Sequence, residues 1–266
     1  MGRYIVVGDV HGCIEEFKEL LDRLSPIWKD DLIISLGDLL HKGPESAEVV
    51  SQYLVSQRRE IVLGNHEEKH LRWLGYEKAG TRPNPINYSE EFKPIQDKIE
   101  QARIDLEKDI GEKAWLYRTL KVGNQKYILV HGGIPGCMRT LPSENMTYKE
   151  ALALSGKDRK YLLQLLRMRY QSPDGFMINM GSEKPEDFFW AEKYDGRFGT
   201  ALFGHQPFFS DGPRYFKNAI GLDTGCVHGG ALTALVLEEG KDPDFVSIRA
   251  KRQYLEPQVL MQRIPE

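Results

Sequence analysis

The sequence has few cysteines, no long apolar run and no excess of positive charge. Its three cysteines, Cys13, Cys137 and Cys226, lack CxxC spacing and an even count, which excludes a disulfide framework and favours a reducing cytoplasm. No run of about 18 apolar residues is present, so we expect no helix to span a membrane. The formal net charge of -3 argues against a surface that binds extended nucleic acid.

Repeats, low-complexity tracts and interdomain linkers are absent as well. The first strand-like run follows the N-terminus almost at once, so we expect no secretory signal. With 266 residues, of which 41% are hydrophobic and 28% charged, the chain can bury a large core. These properties predict one globular domain over residues 1–266, and they carry no signal for the oligomeric state.

Five short apolar runs each end in a potential metal ligand. The runs IVV, IISL, IVL, YILV and ALF precede, in this order, Gly8-Asp9, Gly37-Asp38, Gly64-Asn65-His66, His131-Gly132 and Gly204-His205. Short β-branched runs bounded by glycine predict buried strands, and side chains at the ends of neighbouring strands point into a shared crevice. A single Gly-Asp or Gly-His sequence after a strand is more often part of a turn than a metal ligand. Five such strand ends in one chain favour a metal site.

The segments between these runs predict the fold. The helical periodicity of IEEFKELLDRL and SAEVVSQYLVSQ indicates strand–helix–strand units and a mostly parallel sheet. Residues 67–120 interrupt this order and predict a charged helical insertion around the segment TRPNPINY. A second helical region is expected over residues 147–170. The runs AIGLDTG, GGALTALVLEE and DFVSIRA predict consecutive strands of a second sheet packed on the first.

The ligand types are those of a two-metal site. Asp9 and His11 are one residue apart and would share a face of a strand, and Asp38 could bridge two metals through its two oxygens. Asn65, His131 and His205 could complete the second metal's ligands. Oxygen and imidazole ligands without thiolate suit manganese, iron, zinc or cobalt better than calcium. Two such ions about 3.5–4 Å apart would activate a bridging water and hold both ends of a displacement at phosphorus.

The motifs GDVHG, GD…G, GNHE, HGG and GH, in this order between Asp9 and His205, resemble those of the calcineurin-like (PPP-type) metallophosphoesterases. The resemblance implies an α/β four-layer fold, in which two β-sheets are flanked by helices and the metals lie at the strand ends. It assigns His66 as the general acid or an oxyanion stabiliser. It also implies one metal on Asp9, His11 and Asp38, and a second on Asp38, Asn65, His131 and His205. We expect Mn²⁺, with Fe, Zn, Co and Mg as alternatives.

The second motif departs from the GDxxDRG pattern of the protein phosphatases. His41 replaces the Asp that would orient the catalytic His, and Lys42 replaces a phosphate-clamping Arg. An Arg binds phosphate through two parallel hydrogen bonds, whereas Lys is a point charge. The KGP sequence and the later block GLDTGCVHGG resemble the diadenosine tetraphosphate hydrolases (ApaH-type) and the ApaH-like phosphatases. That resemblance implies cleavage of phosphoanhydrides in dinucleoside polyphosphates by metal-hydroxide attack.

The same sequence features are compatible with other functions. A PPP-type phosphatase acting on phospho-Ser, phospho-Thr or phospho-Tyr would share the metal ligands, so the substrate is a phosphorylated small molecule, a dinucleotide or a phosphoprotein. A non-catalytic protein of the same fold would be expected to lack some ligands, and none is missing here. An enzyme acting on nucleic-acid 5′ ends is disfavoured by the acidic balance.

Several further residues have two interpretations each. Lys42, beside the proposed bridging ligand, is expected to contact phosphate rather than solvent. Arg197 could bind phosphate or be an ordinary exposed Arg. His228 could line the substrate groove or lie in a turn. His41 could orient His66 or face solvent, and His70 is expected to be structural or solvated.

Overall fold

The computed structural model describes residues 2–25, 27–81 and 89–257. Besides the elements below, it contains a π-helical turn at Glu107–Gly111 and 3-10 turns at Trp190–Glu192 and Cys226–His228. The helices and strands are, in chain order, β1 (Tyr4–Val7), α1 (Ile14–Arg23), β2 (Leu32–Ser35), α2 (Ser46–Leu54), β3 (Arg59–Ile61), α3 (Asn65–Ala79), α4 (Ser89–Gln101), β4 (Trp115–Val122), β5 (Gln125–Val130), β6 (Met146–Thr147), α5 (Tyr148–Ala153), α6 (Gly156–Gln164), β7 (Tyr170–Gln171), β8 (Met177–Ile178), β9 (Phe188–Phe189), β10 (Thr200–Phe203), β11 (Arg214–Tyr215), β12 (Ala219–Gly221), β13 (Ala231–Leu237) and β14 (Asp244–Arg249).

Two β-sheets form the centre of the molecule. The first has the strand order β14-β13-β1-β2-β3, with β1, β2 and β3 parallel and β13 antiparallel to β1. The second has the order β11-β12-β10-β5-β4-β6, and β10 is parallel to both of its neighbours. Because parallel strands end at the same edge of a sheet, the loops after β1, β2 and β3 meet, as do those after β5 and β10.

The sheets pack against each other through a continuous apolar layer. Val6 and Ile34 of the first sheet share one core cluster with Leu129, Leu202 and Ile220 of the second. Full burial of an aliphatic side chain contributes about 1.5–3 kcal/mol relative to exposure, so this layer is a main source of stability. The ligand-bearing loops extend from this layer, which fixes them relative to one another.

Helices cover the outer faces of the sheets. Helix α1 contacts β13 and β14, α2 contacts α1 and β3, and α5 contacts β4. Helix α1 buries Phe17 and Leu20 at a helical spacing, and the Phe17 ring stacks on Tyr53 of α2 with 5.2 Å between centroids. The prediction of two sheets flanked by helices is confirmed. No helix in the described ranges has the length and apolarity to cross a membrane.

Two sequence predictions about the fold require correction. Of the three C-terminal strands, only β12 joins the second sheet, whereas β13 and β14 extend the first sheet antiparallel to β1. The helical insertion begins at Asn65 and ends before β4, which starts at Trp115 and not after residue 120. The aromatic and branched residues of WLYRTLKV favour a strand there. Apart from Thr81, the segment TRPNPINY lies outside the described residues.

Candidate metal centre

The five predicted strand-end loops converge on the carboxylate of Asp38, which is 2% exposed. Its Oδ2 lies 3.4 Å from His11 Nε2 and its Oδ1 lies 3.3 Å from His131 Nε2. His131 Nε2 is also 3.0 Å from Asn65 Oδ1. Residues from the loops after β1, β2, β3 and β5 are therefore within direct reach of one another around one carboxylate.

Around Asp38, the possible ligand atoms of the described residues form two groups that share this residue. One group contains His11, Asp38 and His66, and the other contains Asp38, His131 and His205; within each, the atoms lie within 4.8 Å of one another. Asp9 stands outside both groups, but its carboxylate accepts hydrogen bonds from the His205 backbone N–H. The position of Asp38 between the two groups is the one a bridging ligand requires.

Hydrogen bonds to backbone carbonyls orient the imidazoles. His11 Nδ1 donates to Leu40 O at 3.1 Å and His131 Nδ1 donates to Leu36 O at 2.7 Å, which leaves the Nε2 lone pair of each ring facing the site. His205 Nε2 is buried and has no hydrogen-bond partner among the described residues. A buried nitrogen without a partner is costly unless it binds a metal, so this donor set fits divalent metal ions.

The electrostatics of the cluster favour cation binding. Burial raises the pKa of Asp9 well above its usual value, and the nearby carboxylates of Asp223 and Asp38 add to the effect. Burial also acts to raise the pKa of Asp38, but the imidazoles of His131, His66 and His11 outweigh it and hold this pKa well below its usual value. Burial, with Lys42 adding to it, lowers the pKa of His11 to about 3, which keeps its ring neutral. Ionised carboxylates beside neutral imidazoles are the forms that bind metals.

The loops hold these residues in strained backbone conformations. Seven non-glycine residues in the described ranges have a positive φ, and five of them belong to this centre or flank it: His11 (46°), Asp38 (51°), His41 (69°), Lys42 (68°) and His205 (68°). Each costs roughly 1–2 kcal/mol. Gly37 relieves a further conflict, since a Cβ there would lie 2.4 Å from the backbone nitrogen of Gly64. Strain concentrated in this way is typical of functional sites.

His66 is the first-turn residue of α3 that faces the cluster. Its Nε2 lies 3.9 Å from Asp38 Oδ2, and its Nδ1 lies 3.0 Å from His41 Nδ1. His41 is completely buried and contacts His70, which is also completely buried. Of the two interpretations of His41, the structure therefore favours contact with His66 over exposure to solvent. Lys42 Nζ lies 2.8 Å from His11 Nε2, at the edge of the cluster.

A groove of about 210 Å³ opens beside two of the predicted ligands, Asn65 and His205. Two arginines and four other side chains complete its lining: Arg167, Arg169, Met177, Ile178, Asn179 and Met180. The Arg169 guanidinium donates to His205 O at 2.7 Å and to Gln206 Oε1 at 3.0 Å, and Arg167 donates to Glu68. The groove thus combines positive charge and apolar surface next to two of the predicted metal ligands.

Two predicted site residues, Arg197 and His228, are not among the residues that line this groove. The Arg197 guanidinium donates to Asp195 and to the backbone oxygens of Gly136 and Met138, so it holds a loop and does not line the groove. His228 Nδ1 donates to Leu255 O at 2.9 Å, and its buried Nε2 has no hydrogen-bond partner in the part of the chain that the structure describes. Burial lowers the pKa of His228.

The structure adds residues that the sequence analysis did not single out. The buried Glu67 carboxylate accepts hydrogen bonds from the backbone N–H groups of Asp38, Leu40 and Gly64, and so joins the loops after β2 and β3. Asp223 is 5% exposed and follows β12, and a signal for it was present, since AIG also ends in a Gly-x-Asp sequence. Arg169 had no comparable signal.

Two packed sheets whose loops meet at a cluster of carboxylate, imidazole and amide side chains define a metal-dependent phosphoesterase. The chain belongs to the calcineurin-like phosphoesterases, because the model of that family matches residues 2–209. Divalent metal ions are the cofactors of this family, and the chain is an enzyme of the metallophosphoesterase class.

Named relatives cover most of the chain. It is 30% identical over 244 residues to an asymmetrical bis(5′-nucleosyl)-tetraphosphatase PrpE from Anoxybacillus flavithermus, covering 87% of this chain and 89% of the relative. It is 29% identical to a symmetrical bis(5′-nucleosyl)-tetraphosphatase from Cellvibrio japonicus, covering 88% and 95%.

Solved structures share the fold. A protein described as a candidate diadenosine tetraphosphatase is 23% identical, with a TM-score of 0.58 and 94% of each chain covered. A protein serine/threonine phosphatase from Saccharomyces cerevisiae is 16% identical, with a TM-score of 0.59, covering 94% of this chain and 81% of the other. At these identities the likeness establishes the fold alone.

Proposed function

We propose that this enzyme hydrolyses a phosphoanhydride bond of dinucleoside polyphosphates such as diadenosine tetraphosphate. The names of the relatives that cover nearly the whole chain support this substrate class. The observation that carries the proposal is the groove beside Asn65 and His205. Arg167 and Arg169 there match the negative charge of a polyphosphate, and the methionine side chains offer an adaptable apolar surface for a nucleobase.

The proposed metal ligands are the six residues of the strand-end loops. We assign Asp9, His11 and Asp38 to one ion, and Asp38, Asn65, His131 and His205 to the second. When bound, two ions at such a site activate water and neutralise charge on the transferred phosphoryl group. Mn²⁺ is the proposed native ion because the donors combine carboxylate, amide oxygen and imidazole without thiolate.

Two further side chains are proposed to act on the substrate. Hydrolysis forms a bond between phosphorus and a water oxygen and breaks the bridging P–O bond, so the departing phosphate oxygen needs a proton or a positive charge. We propose that His66, whose Nε2 lies 3.9 Å from Asp38 Oδ2, holds that proton. Lys42 Nζ contacts Nε2 of the His11 ring, whereas Nδ1 of that ring faces the Leu40 carbonyl. We propose that Lys42 binds a phosphate oxygen there. His228 is proposed to contact the substrate as well.

The protein-phosphatase alternative lacks a specific supporting observation. Its fold is shared, but His41 and Lys42 stand where the protein phosphatases have Asp and Arg. We also infer a single catalytic domain, since β13 and β14 complete the sheet that β1 begins. The cytoplasm is the proposed compartment because all three cysteines are free thiols.

The test is chromatography of the products formed from diadenosine tetraphosphate by manganese-loaded protein, with a chelator control. ADP alone would indicate symmetrical cleavage, and ATP with AMP would indicate asymmetrical cleavage; either product set supports the proposal if chelation abolishes it. An intact dinucleotide together with rapid hydrolysis of a phosphopeptide would overturn it in favour of a protein phosphatase.

A matched pair of arginine variants tests the groove. Arg167 and Arg72 both face Glu68, but only Arg167 lines the groove. Arg167→Ala should raise KM for diadenosine tetraphosphate about tenfold, which corresponds to roughly 1.4 kcal/mol for one lost charge-assisted contact. Arg72→Ala should leave KM unchanged. Equal effects of the two variants would show that the loss of the Glu68 contact, and not the groove, is responsible.

A further inference from the structure

A continuous chain of hydrogen bonds runs from the surface of α4 to His66. His66 Nδ1 lies 3.0 Å from His41 Nδ1, and His41 Nε2 lies 2.9 Å from His70 Nδ1. His70 Nε2 lies 3.1 Å from Gln96 Oε1, and Gln96 Nε2 donates to Glu100 Oε1 at 2.8 Å. We name these five residues the histidine chain. Its inner rings are buried and its outer end, Glu100, is exposed.

Glu100 sets the direction of every bond in the histidine chain. An ionised carboxylate accepts hydrogen bonds and donates none, so the amide NH₂ of Gln96 must face it and the amide oxygen must face His70. His70 then carries its proton on Nε2 and accepts at Nδ1. His41 therefore carries its proton on Nε2 and accepts at Nδ1, and His66 must donate from Nδ1.

We propose that α4 fixes the tautomer of His66 through this ordered chain, which makes Gln96 and Glu100 positioning residues of the active site. With its proton held on Nδ1, the neutral His66 ring presents the Nε2 lone pair to the cluster. Nε2 is then the atom that takes up a proton released from water and passes it to the leaving-group oxygen. The role of that proton rests on the proposed function, whereas the tautomer of His66 does not.

The packing of α4 supports an orienting role. Its residues Phe92, Gln96 and Glu100 are spaced four apart and lie on one face of the helix. The buried Phe92 ring stacks on His41, with centroids 4.2 Å apart and planes at 13°, and on His70, at 5.1 Å and 16°. Stacking fixes the planes of both rings, so their nitrogens stay aligned with their partners. The helical insertion therefore orients the His41 and His70 rings next to the active site.

A neutral imidazole needs such an external constraint more than a carboxylate would. A carboxylate in the place of His41 could only accept, and it would hold the Nδ1 proton of His66 without help. A histidine can also donate from Nδ1, which would turn the chain around and move the His66 proton to Nε2. The hydrogen bonds to His70, Gln96 and Glu100 exclude that arrangement.

The direct test is the tautomer of His66, measured by long-range ¹H–¹⁵N NMR on histidine-labelled protein, both metal-free and loaded with Mg²⁺. The wild-type protein should show His66 protonated on Nδ1. Glu100→Lys replaces an acceptor with a donor, so Gln96 should flip and the proton of all three histidines should move to the other nitrogen. The matched control is Glu91→Lys, which makes the same charge change at an exposed position of α4.

Kinetics provide a second readout with the same variants. In Glu100→Lys, kcat for diadenosine tetraphosphate should fall about tenfold or more with KM unchanged, within the ~10²–10⁴ that a general acid contributes. For p-nitrophenyl phosphate, whose leaving group needs no proton, kcat should change less than about twofold. Glu91→Lys should behave like the wild type with both substrates.

Specific results would overturn the proposal. One is an unchanged Nδ1 proton on His66 in Glu100→Lys, and another is an equal shift of the tautomer in Glu91→Lys. If the wild-type protein leaves diadenosine tetraphosphate intact, the proposed function fails, but the NMR comparison still decides whether α4 fixes the tautomer. The proposed function can also hold when the tautomer proposal fails, because hydrolysis of the dinucleotide does not require this particular direction of the hydrogen bonds in the histidine chain.

Discussion

The backbone N–H of His205 donates to both carboxylate oxygens of Asp9, at 3.1 and 3.0 Å, across 196 positions of the chain. Asp9 follows β1 of the first sheet and His205 follows β10 of the second. This contact therefore ties the two sheets together at the candidate metal centre. It also orients one proposed ligand through the backbone of another, so the two cannot move independently.

The bridging assignment of Asp38 predicts the simultaneous loss of both metals from Asp38→Asn. Its two oxygens face His11 and His131, one in each ligand group, and an amide cannot replace both. Metal affinity should fall by more than the ~10–100-fold that the loss of an outer hydrogen-bond partner costs. Elemental analysis of the dialysed protein measures this, with Asp187→Asn as the control. Two ions retained per chain would contradict the bridging role.

His66→Asn separates catalysis from metal binding. Asn cannot pass a proton to the leaving group, so turnover of diadenosine tetraphosphate should fall about 10²–10⁴-fold. Metal content should stay at the wild-type level, because the proposed ligands are left intact. Steady-state kinetics and elemental analysis of the same preparation give both numbers. Unchanged turnover would remove His66 from the mechanism.

Glu67 is predicted to be essential to the shape of the site. Its buried carboxylate accepts from three backbone N–H groups, those of Asp38, Leu40 and Gly64. Glu67→Gln would place an amide donor against one or more of these donors, at a cost of about 2–4 kcal/mol in the free energy of unfolding. Urea denaturation measures the change, and Glu91→Gln on the surface of α4 is the control. A loss below about 0.5 kcal/mol would show that the loops hold their shape without it.

The ion pair between Arg3 and Asp31 predicts a pH-dependent part of the stability. Asp31 accepts from the backbone N–H and the guanidinium of Arg3 and from the backbone N–H of Trp28. Burial acts to raise the pKa of Asp31, but these hydrogen bonds outweigh it and lower the pKa. A lowered folded-state pKa stabilises the protein above the unfolded-state value of about 3.9, and the contribution is lost as pH falls through the folded-state pKa.

Asp31→Asn should therefore cost about 1–3 kcal/mol at pH 7, the usual range for lost hydrogen bonds to a charged group. The difference from wild type should shrink as the pH falls below the unfolded-state value of about 3.9 and through the lowered folded-state pKa, where the carboxylate of the wild type becomes protonated. Chemical denaturation of both proteins across this pH range provides the comparison. A difference that is independent of pH would assign the effect to packing alone.

The proposed metal ligands could be selected from the sequence because each follows a short apolar run that indicates a strand. A short apolar run indicates a buried strand, and the residue that follows it lies at the edge of the sheet. Neither inference depends on the rest of the sequence. The local sequence does not indicate which of the two sheets a strand joins. The alternation in β13 would suit either sheet, and only its pairing with β1 places it in the first.

Contacts between distant residues explain why Arg169 was not predicted and why the sequence left the roles of His41 and His70 open. Arg169 reaches the centre through the β7 region, and its hydrogen bonds to His205 and Gln206 join positions far apart in the chain. His41 and His70 are separated by 29 positions, and their stacking on Phe92 depends on how α4 docks. A pattern of charged helical residues indicates that α4 exists, but not which face it presents or to what.

The position of β1 in the first sheet has a consequence for synthesis of the protein. Val7 pairs with Ser35 on one side and with Ala234 on the other. While the chain is emerging from the ribosome, one edge of β1 has no partner until β13 has been made, and exposed strand edges promote aggregation. The hydrogen bond from the His205 backbone N–H to Asp9, which lies shortly after this strand, also cannot form until His205 has been synthesised. We therefore expect the nascent protein to need protection from self-association until β13 has been synthesised, and to complete the candidate metal centre only after His205 has been synthesised.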